Sequence, residues 1–290
     1  MYSIENELLK VVVRSRGAEL DSVYNKAQQL EYLWNGDPVF WGKKSPVLFP
    51  IVGTLKNDTY FFNGNEYHLS RHGFAREMDF AVSSRSAGAI TFTVLSNEAT
   101  LLKFPFHFRF DITYSLNENQ LAVAYTVINT GQGAMFFSVG AHPAFKIPLA
   151  ADTEYEDYNL VFSHPENAGR WPISKDGLID TPPIPLLKDN AGRLPLRKEL
   201  FFEDALVFKQ LKSDTITLQS AKTPRGWSLS FPGFPYMGIW AAKRADFVCI
   251  EPWCGIADSV ATDQQLEHKE GIRQLAPQQA FTRQWTLAVW

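Results

Sequence analysis

Cysteine is scarce in this chain: only 2 occur, Cys249 and Cys254, and their spacing suits neither a metal site nor a redox pair. A chain of 290 residues can bury a core without disulfides, so the thiols read as free and the protein as cytoplasmic. The opening "MYSIENELLK" carries Glu5, Glu7 and Lys10 where a signal peptide would have an apolar core. Positive charge is not in excess either. The net charge of −3 gives no drive toward nucleic acid or an anionic membrane, and neither partner is expected. Residues 120–145 lack Asp, Glu, Lys and Arg, but they alternate polar with apolar and contain "NTGQG", which suits a hairpin and not a membrane span. Several chemical signatures are missing as well: H-E-x-x-H, G-x-S-x-G and the P-loop. The 6 histidines, at 68, 72, 107, 142, 164 and 268, include no H-x-H pair. No metal and no cofactor is expected, and catalysis by this chain would be acid–base chemistry.

Aromatic residues, by contrast, are plentiful at 14%, with 8 Trp and 22 Phe. Such content suits strands, and also clefts in which an aromatic face packs on the C–H face of a sugar. Period-2 stretches recur at 90–96, 108–116, 120–129, 215–220 and 227–232, and again in "FTRQWTLAV" near the end. Turn signals around Asn63-Gly64, at 116–120 and at 130–133 separate strands. This pattern predicts an all-β fold of antiparallel sheets with few short helices, and residues 259–271 hold at most a turn or two. Residues 163–200 are dense in Pro, Gly and Asp, too long for a simple connection, and read as an excursion over the surface or beside a site. No internal repeat is evident, and residues 1–290 read as one domain.

Three places carry residues suited to chemistry. His72, in "SRHGFARE", is either a solvated turn histidine or a member of a polar site flanked by Arg71 and Arg76. His142 follows Gly140-Ala141 at the end of an apolar strand, and Pro143 holds it toward extended geometry. It is either buried against a backbone carbonyl or turned to a ligand. Glu251 follows an apolar strand at 247–250 and precedes Pro252 and Trp253. There it is either desolvated into a base or paired with an arginine. Asp204, in "FFEDALVF", reads on its own as a cap or turn residue.

The segments at 46–77, "SVGAHPAF" (138–145), "FPYMGIWAAK" (234–243) and "CIEPWCGIAD" (249–258), together with "RGAEL" (16–20), occur in an order that resembles the aldose 1-epimerase (galactose mutarotase-like) superfamily. The similarity is greatest to its LacX-like and glucose-6-phosphate 1-epimerase-like branch. That resemblance implies a β-supersandwich and the interconversion of α and β anomers of a hexose or hexose-6-phosphate, without cofactor. It implies Glu251 as base, His142 as acid, His72 as a hydrogen-bonding partner of the sugar and Asp204 as a ligand of its hydroxyls. Thr54 stands where the family usually has a substrate-binding arginine. Either Lys56, Arg71 or Arg76 takes over, or the activity is weakened, or the substrate differs. Arg71 and Arg76 are also suited to a phosphate. A non-catalytic sugar-binding protein is the alternative on the same fold, and a glycoside hydrolase using Glu251 with Asp258 or Asp204 is a third reading. A monomer or homodimer is expected.

Overall fold

Alternation of apolar and polar residues builds the largest element of the computed structural model, which describes residues 1–187 and 192–290. Nine antiparallel strands run in the order Arg193–Pro195, Tyr158–Phe162, Thr215–Ser220, Trp227–Ser230, Ala280–Val289, Gln120–Asn129, Phe108–Asn117, Ala89–Leu95 and Ala81–Arg85. Gln120–Asn129 shows why the register is fixed. Leu121, Val123, Tyr125 and Val127 are buried while the residues between them are more exposed. A slip of one residue would turn that whole apolar set to solvent. Leu121 pairs with Leu287, which also faces Leu229. The strands expected at 90–96, 108–116, 120–129 and 215–220 are present to within one residue. The one expected over 227–232 stops at Ser230, two residues before Pro232, which has no N–H for a ladder.

A second antiparallel sheet of five strands carries a different pattern. Val139–Gly140 and Ala144–Lys146 both pair with Phe247–Cys254, which pairs in turn with Tyr236–Trp240 and through it with Leu206–Lys209. Every residue of Phe247–Cys254 is buried. The strand therefore does not end at residue 250, as the apolar run suggested, but continues through Glu251, Pro252 and Trp253. Pro252 is tolerated because its neighbour is interrupted at 141–143. Its carbonyl accepts from Ala141, while Ile250 next along the same edge donates to Pro143. No ladder bond is lost where the proline lacks its N–H.

Among the described residues the helices are short: one α-helix, Glu98–Leu101, and five 3₁₀ segments, one of them Leu266–His268 within the expected 259–271 stretch. No helix is long and apolar enough to cross a membrane. The excursion at 163–200 is pinned to the second sheet. Trp171 donates to Val207, and Ile179 to Asp258. A small apolar cluster that includes Leu48, Val52, Ile179, Val207, Trp253 and Ala257 packs beneath it. Three of the five strands of the second sheet, and the interruption between the other two, supply residues to one cavity.

Candidate active site

The cavity has a volume of about 520 Å³, and its wall includes His72, His142, Glu251, Asp204, Arg71 and Arg76. That volume lies in the usual range for a small-molecule site. The three residues singled out from distant parts of the chain are thus brought together, each by a different local device.

Glu251 reaches the cavity from the middle of its strand and is 2% exposed. His142 sits in the interruption between Val139–Gly140 and Ala144–Lys146, and its Nε2 lies 3.2 Å from Glu251 Oε2. The partner of Glu251 is therefore the histidine and not an arginine. Nor is His142 satisfied by a carbonyl: its Nδ1 is buried without a hydrogen-bond partner. Burial raises the Glu251 pKa well above the ordinary carboxylate value, against the pull of the Arg71 charge; Asp204 adds to the rise and the Trp253 N–H opposes it. Burial likewise pushes His142 down to about 3, helped by Arg71 and Arg76. Both shifts favour uncharged forms. The pair then holds a single proton, on the carboxyl, hydrogen-bonded to a neutral imidazole. Moving that proton across 3.2 Å converts the pair into carboxylate and imidazolium without any exchange with solvent.

Aromatic rings enforce this desolvation. Trp41 stacks on His142 with centroids 5.0 Å apart, and Trp240 meets it edge-on at 5.8 Å. His72 closes a third side, edge-on at 5.7 Å.

His72 is not a solvated turn residue: it is 5% exposed. Its backbone lies in the left-handed region at φ 69°, which costs a non-glycine residue about 1–2 kcal/mol. Two bonds to one residue hold it there. His72 N–H donates to the Gly53 carbonyl at 2.9 Å, and Gly53 N–H donates to His72 Nδ1 at 3.1 Å. Gly53 itself has φ 75°, and a Cβ there would come within 2.5 Å of Ala257 Cβ. Arg71 Nε–H donates to the other ring nitrogen, Nε2, at 3.3 Å; a neutral imidazole has one acceptor nitrogen, so the Gly53 and Arg71 donors compete for it. Burial first, then the His142 ring, Arg71 and Arg76, lowers the His72 pKa well below its ordinary value. His72 is neutral and offers the site one N–H donor.

Charged groups line the cavity beside His72. Arg71 is half-exposed and lies 3.8 Å from Asp204 Oδ1, while Arg76 donates to the Arg71 carbonyl at 2.8 Å. Asp204 combines two roles, since Oδ1 also accepts the Ala205 N–H at 2.7 Å. Lys243 and Glu203 are part of the same wall.

Two residues expected at the site are not brought to it. Thr54 and Lys56 are absent from the cavity wall. The backbone of Gly177 lies over Thr54 so closely that a Cβ there would sit 2.7 Å from the threonine hydroxyl. Lys56 sends its ammonium to the Val260 carbonyl, 3.1 Å away. The excursion, through Ile173, Gly177 and Ile179, takes the wall position that the sequence assigned to Thr54. Asp258, a carboxylate of the hydrolase reading, is likewise committed elsewhere. It is 3% exposed, 2.6 Å from the buried Lys269 ammonium, and also accepts the Lys56 N–H. Trp41, Trp240 and Lys243 went unnoticed in the sequence. The only signals for them were the Pro- and Gly-bounded "NGDPVFWG" and the end of the apolar run in "YMGIWAAK".

A half-open cavity lined by a buried glutamate–histidine pair, aromatic rings and charged groups suits acid–base chemistry on a small polar molecule. Consistently, the chain belongs to the aldose 1-epimerase family, whose model matches residues 1–273. The plasmid-borne protein LacX of Lactococcus lactis subsp. lactis is 31% identical over 294 aligned residues, covering 99% of this chain and 98% of that one. Among solved structures, the galactose mutarotase related enzyme of Lactobacillus acidophilus is 36% identical with a TM-score of 0.94, covering 100% of this chain and 97% of that one. A galactose mutarotase-like protein from Lactobacillus casei ATCC 334 is 33% identical with a TM-score of 0.94, each chain covered in full.

Proposed function

We propose that this protein interconverts the α and β anomers of a hexose or hexose-6-phosphate by acid–base ring opening. The observation that carries the proposal is the buried Glu251–His142 pair, 3.2 Å apart on the cavity floor. In an aldopyranose the anomeric hydroxyl and the ring oxygen are both bonded to C1, so two groups this close can address both at once. With the shared proton on His142, the Glu251 carboxylate takes the proton of the C1 hydroxyl as the imidazolium gives its own to the ring oxygen. The C1–O bond of the ring breaks and the open-chain aldehyde forms. Rotation about C1–C2 presents the other carbonyl face, and the reverse proton transfers close the ring as the second anomer. The pair ends with one proton, as it began. Each acid–base group in such a step is worth ~10²–10⁴ in rate.

His72 serves as a neutral donor to the sugar near the ring oxygen, and Asp204 accepts from its hydroxyls. Arg71 and Arg76 supply the positive wall that a 6-phosphate would meet. Polarimetry or exchange NMR on freshly dissolved anomers of glucose, galactose and their 6-phosphates tests the reading. Acceleration over buffer is expected. Saturable sugar binding in calorimetry with no acceleration for any of the four would replace the enzyme by a sugar-binding protein.

A further inference from the structure

We propose that His142 and Glu251 of the cavity wall, with Cys249 buried beside them, form a Zn²⁺ site in which the ion blocks the acid–base pair. One ring nitrogen of His142, the Cys249 sulfur and one Glu251 oxygen all lie within 4.8 Å of one another. Cys249 and Glu251 are two residues apart on one strand, so their side chains share a face. His142 meets them from the interrupted neighbouring strand.

The donor set matches the metal. Zinc takes thiolate, imidazole and carboxylate at ~2.0–2.3 Å in tetrahedral sites, which puts the ligand atoms about 3.3–3.6 Å apart. The His142–Glu251 separation of 3.2 Å already meets that spacing, and the sulfur has at most 4.8 Å to close from. The Cys249 sulfur is fully buried, and burial first, then the Glu251 charge, holds its pKa well above the usual thiol value, so an ion of high thiolate affinity is needed to displace its proton.

Binding displaces the thiol proton and the proton shared by Glu251 and His142, so two protons leave per ion and no redox change occurs. Thiolate and carboxylate then neutralise the 2+ charge. Arg71 and Arg76, which line the same cavity, oppose a cation, and Asp204 partly offsets them, which favours a soft, thiolate-seeking ion over a hard one held by oxygen alone. Because the ion takes both acid–base groups, it and the sugar exclude each other. That consequence rests on the anomer-interconversion reading, whereas the binding itself does not.

Calorimetric titration of the intact protein with Zn²⁺, without sugar, tests the site. Co²⁺ substitution provides a second readout through its thiolate charge-transfer band. The expected result is one ion per chain, a thiolate band with Co²⁺, and loss of both in Cys249→Ala. The affinity should fall by more than the ~10–100-fold that outer-shell changes cost. Cys254→Ala should bind as the unmodified protein does. If Cys249→Ala fails to fold, His142→Asn makes the same test. No stoichiometric binding, retained binding in Cys249→Ala or His142→Asn, or loss in Cys254→Ala would each overturn the proposal. A chain that binds zinc yet never accelerates mutarotation overturns the function proposed above and leaves the metal site standing.

Discussion

The strands Gln120–Asn129 and Phe247–Cys254 are both central in their sheets, yet they are built on opposite rules. The first alternates buried with more exposed residues and carries no carboxylate, histidine, lysine or arginine. The second is buried throughout and carries a carboxylate, a proline and two cysteines. A strand with one solvated face can be made of ordinary alternating residues, and its stability comes from apolar burial. A strand buried on both faces has no water for its polar groups, so a carboxylate there must share a proton with a partner. Stability and chemistry are thus assigned to different sheets, and substitutions in the two should separate cleanly.

The largest effect is expected in the second sheet, on rate alone. Glu251→Gln and His142→Asn should each slow anomer interconversion at least ~10²-fold while leaving the thermal transition close to that of the unmodified protein. Wild-type-like rates in either variant would remove that residue's role. In the large sheet, Leu287→Ala deletes a fully buried side chain between Leu121 and Leu229. It should cost about 2–5 kcal/mol in urea unfolding, with the rate per folded molecule unchanged. A large loss of rate there would show that the sheets are not independent.

Stability against pH provides a finer separation. Below pH 6.5 the unfolded chain protonates His72, whereas the buried native ring refuses the proton. Stability should therefore fall with falling pH by about 1.4 kcal/mol per unit from this group. The Glu251–His142 pair behaves differently. Between 4.5 and 6.5 it holds one proton both folded and unfolded, so it contributes no slope. Above 6.5 the unfolded pair loses that proton, while burial, by raising the Glu251 pKa, resists its loss from the native pair. Stability from the pair then falls as pH rises, until the native proton is lost too. Exposed His268, its pKa raised beside Asp263, titrates weakly in the opposite sense to His72. Unfolding curves across pH check the signs: His72→Asn should flatten the acid limb and Glu251→Gln the alkaline one.

The same contrast governs what could be read from the sequence. Alternation in the large sheet is a local property, so six of its nine strands were legible to within two residues; Ala81–Arg85, Tyr158–Phe162 and Arg193–Pro195, short or exposed, were not. Phe247–Cys254 has no alternation, and the strand was cut short at 250 because Glu251 and Pro252 look like terminators; only the interruption at 141–143 explains why they are not. His72, His142 and Glu251 were legible as candidates, and their family-like flanks supplied their expected roles. Trp41 and Trp240 were not, because an aromatic that packs on a cavity imidazole has the same local sequence as one that fills a core.

The smallest expected effect tests two residues that the structure leaves off the cavity wall. Thr54 stands where the resemblance expects a substrate-binding arginine, and Lys56 is one of three residues that could take its place. The Gly177 backbone lies over Thr54, and the Lys56 ammonium is bonded to the Val260 carbonyl. Thr54→Ala and Lys56→Met should therefore change KM by no more than about twofold, the range of substitutions that touch no special feature. Arg71→Met, on the cavity wall, should raise KM for a hexose-6-phosphate by ~10-fold or more, the worth of one charge-assisted hydrogen bond, and should affect the free hexose less. Equal effects of Lys56→Met and Arg71→Met would mean that the excursion at 163–200 opens when substrate binds and that the wall seen here is a closed form. With Lys56 silent and Arg71 selective for the phosphate, the excursion is a fixed wall, and the positive charge that grips the substrate comes from beside His72.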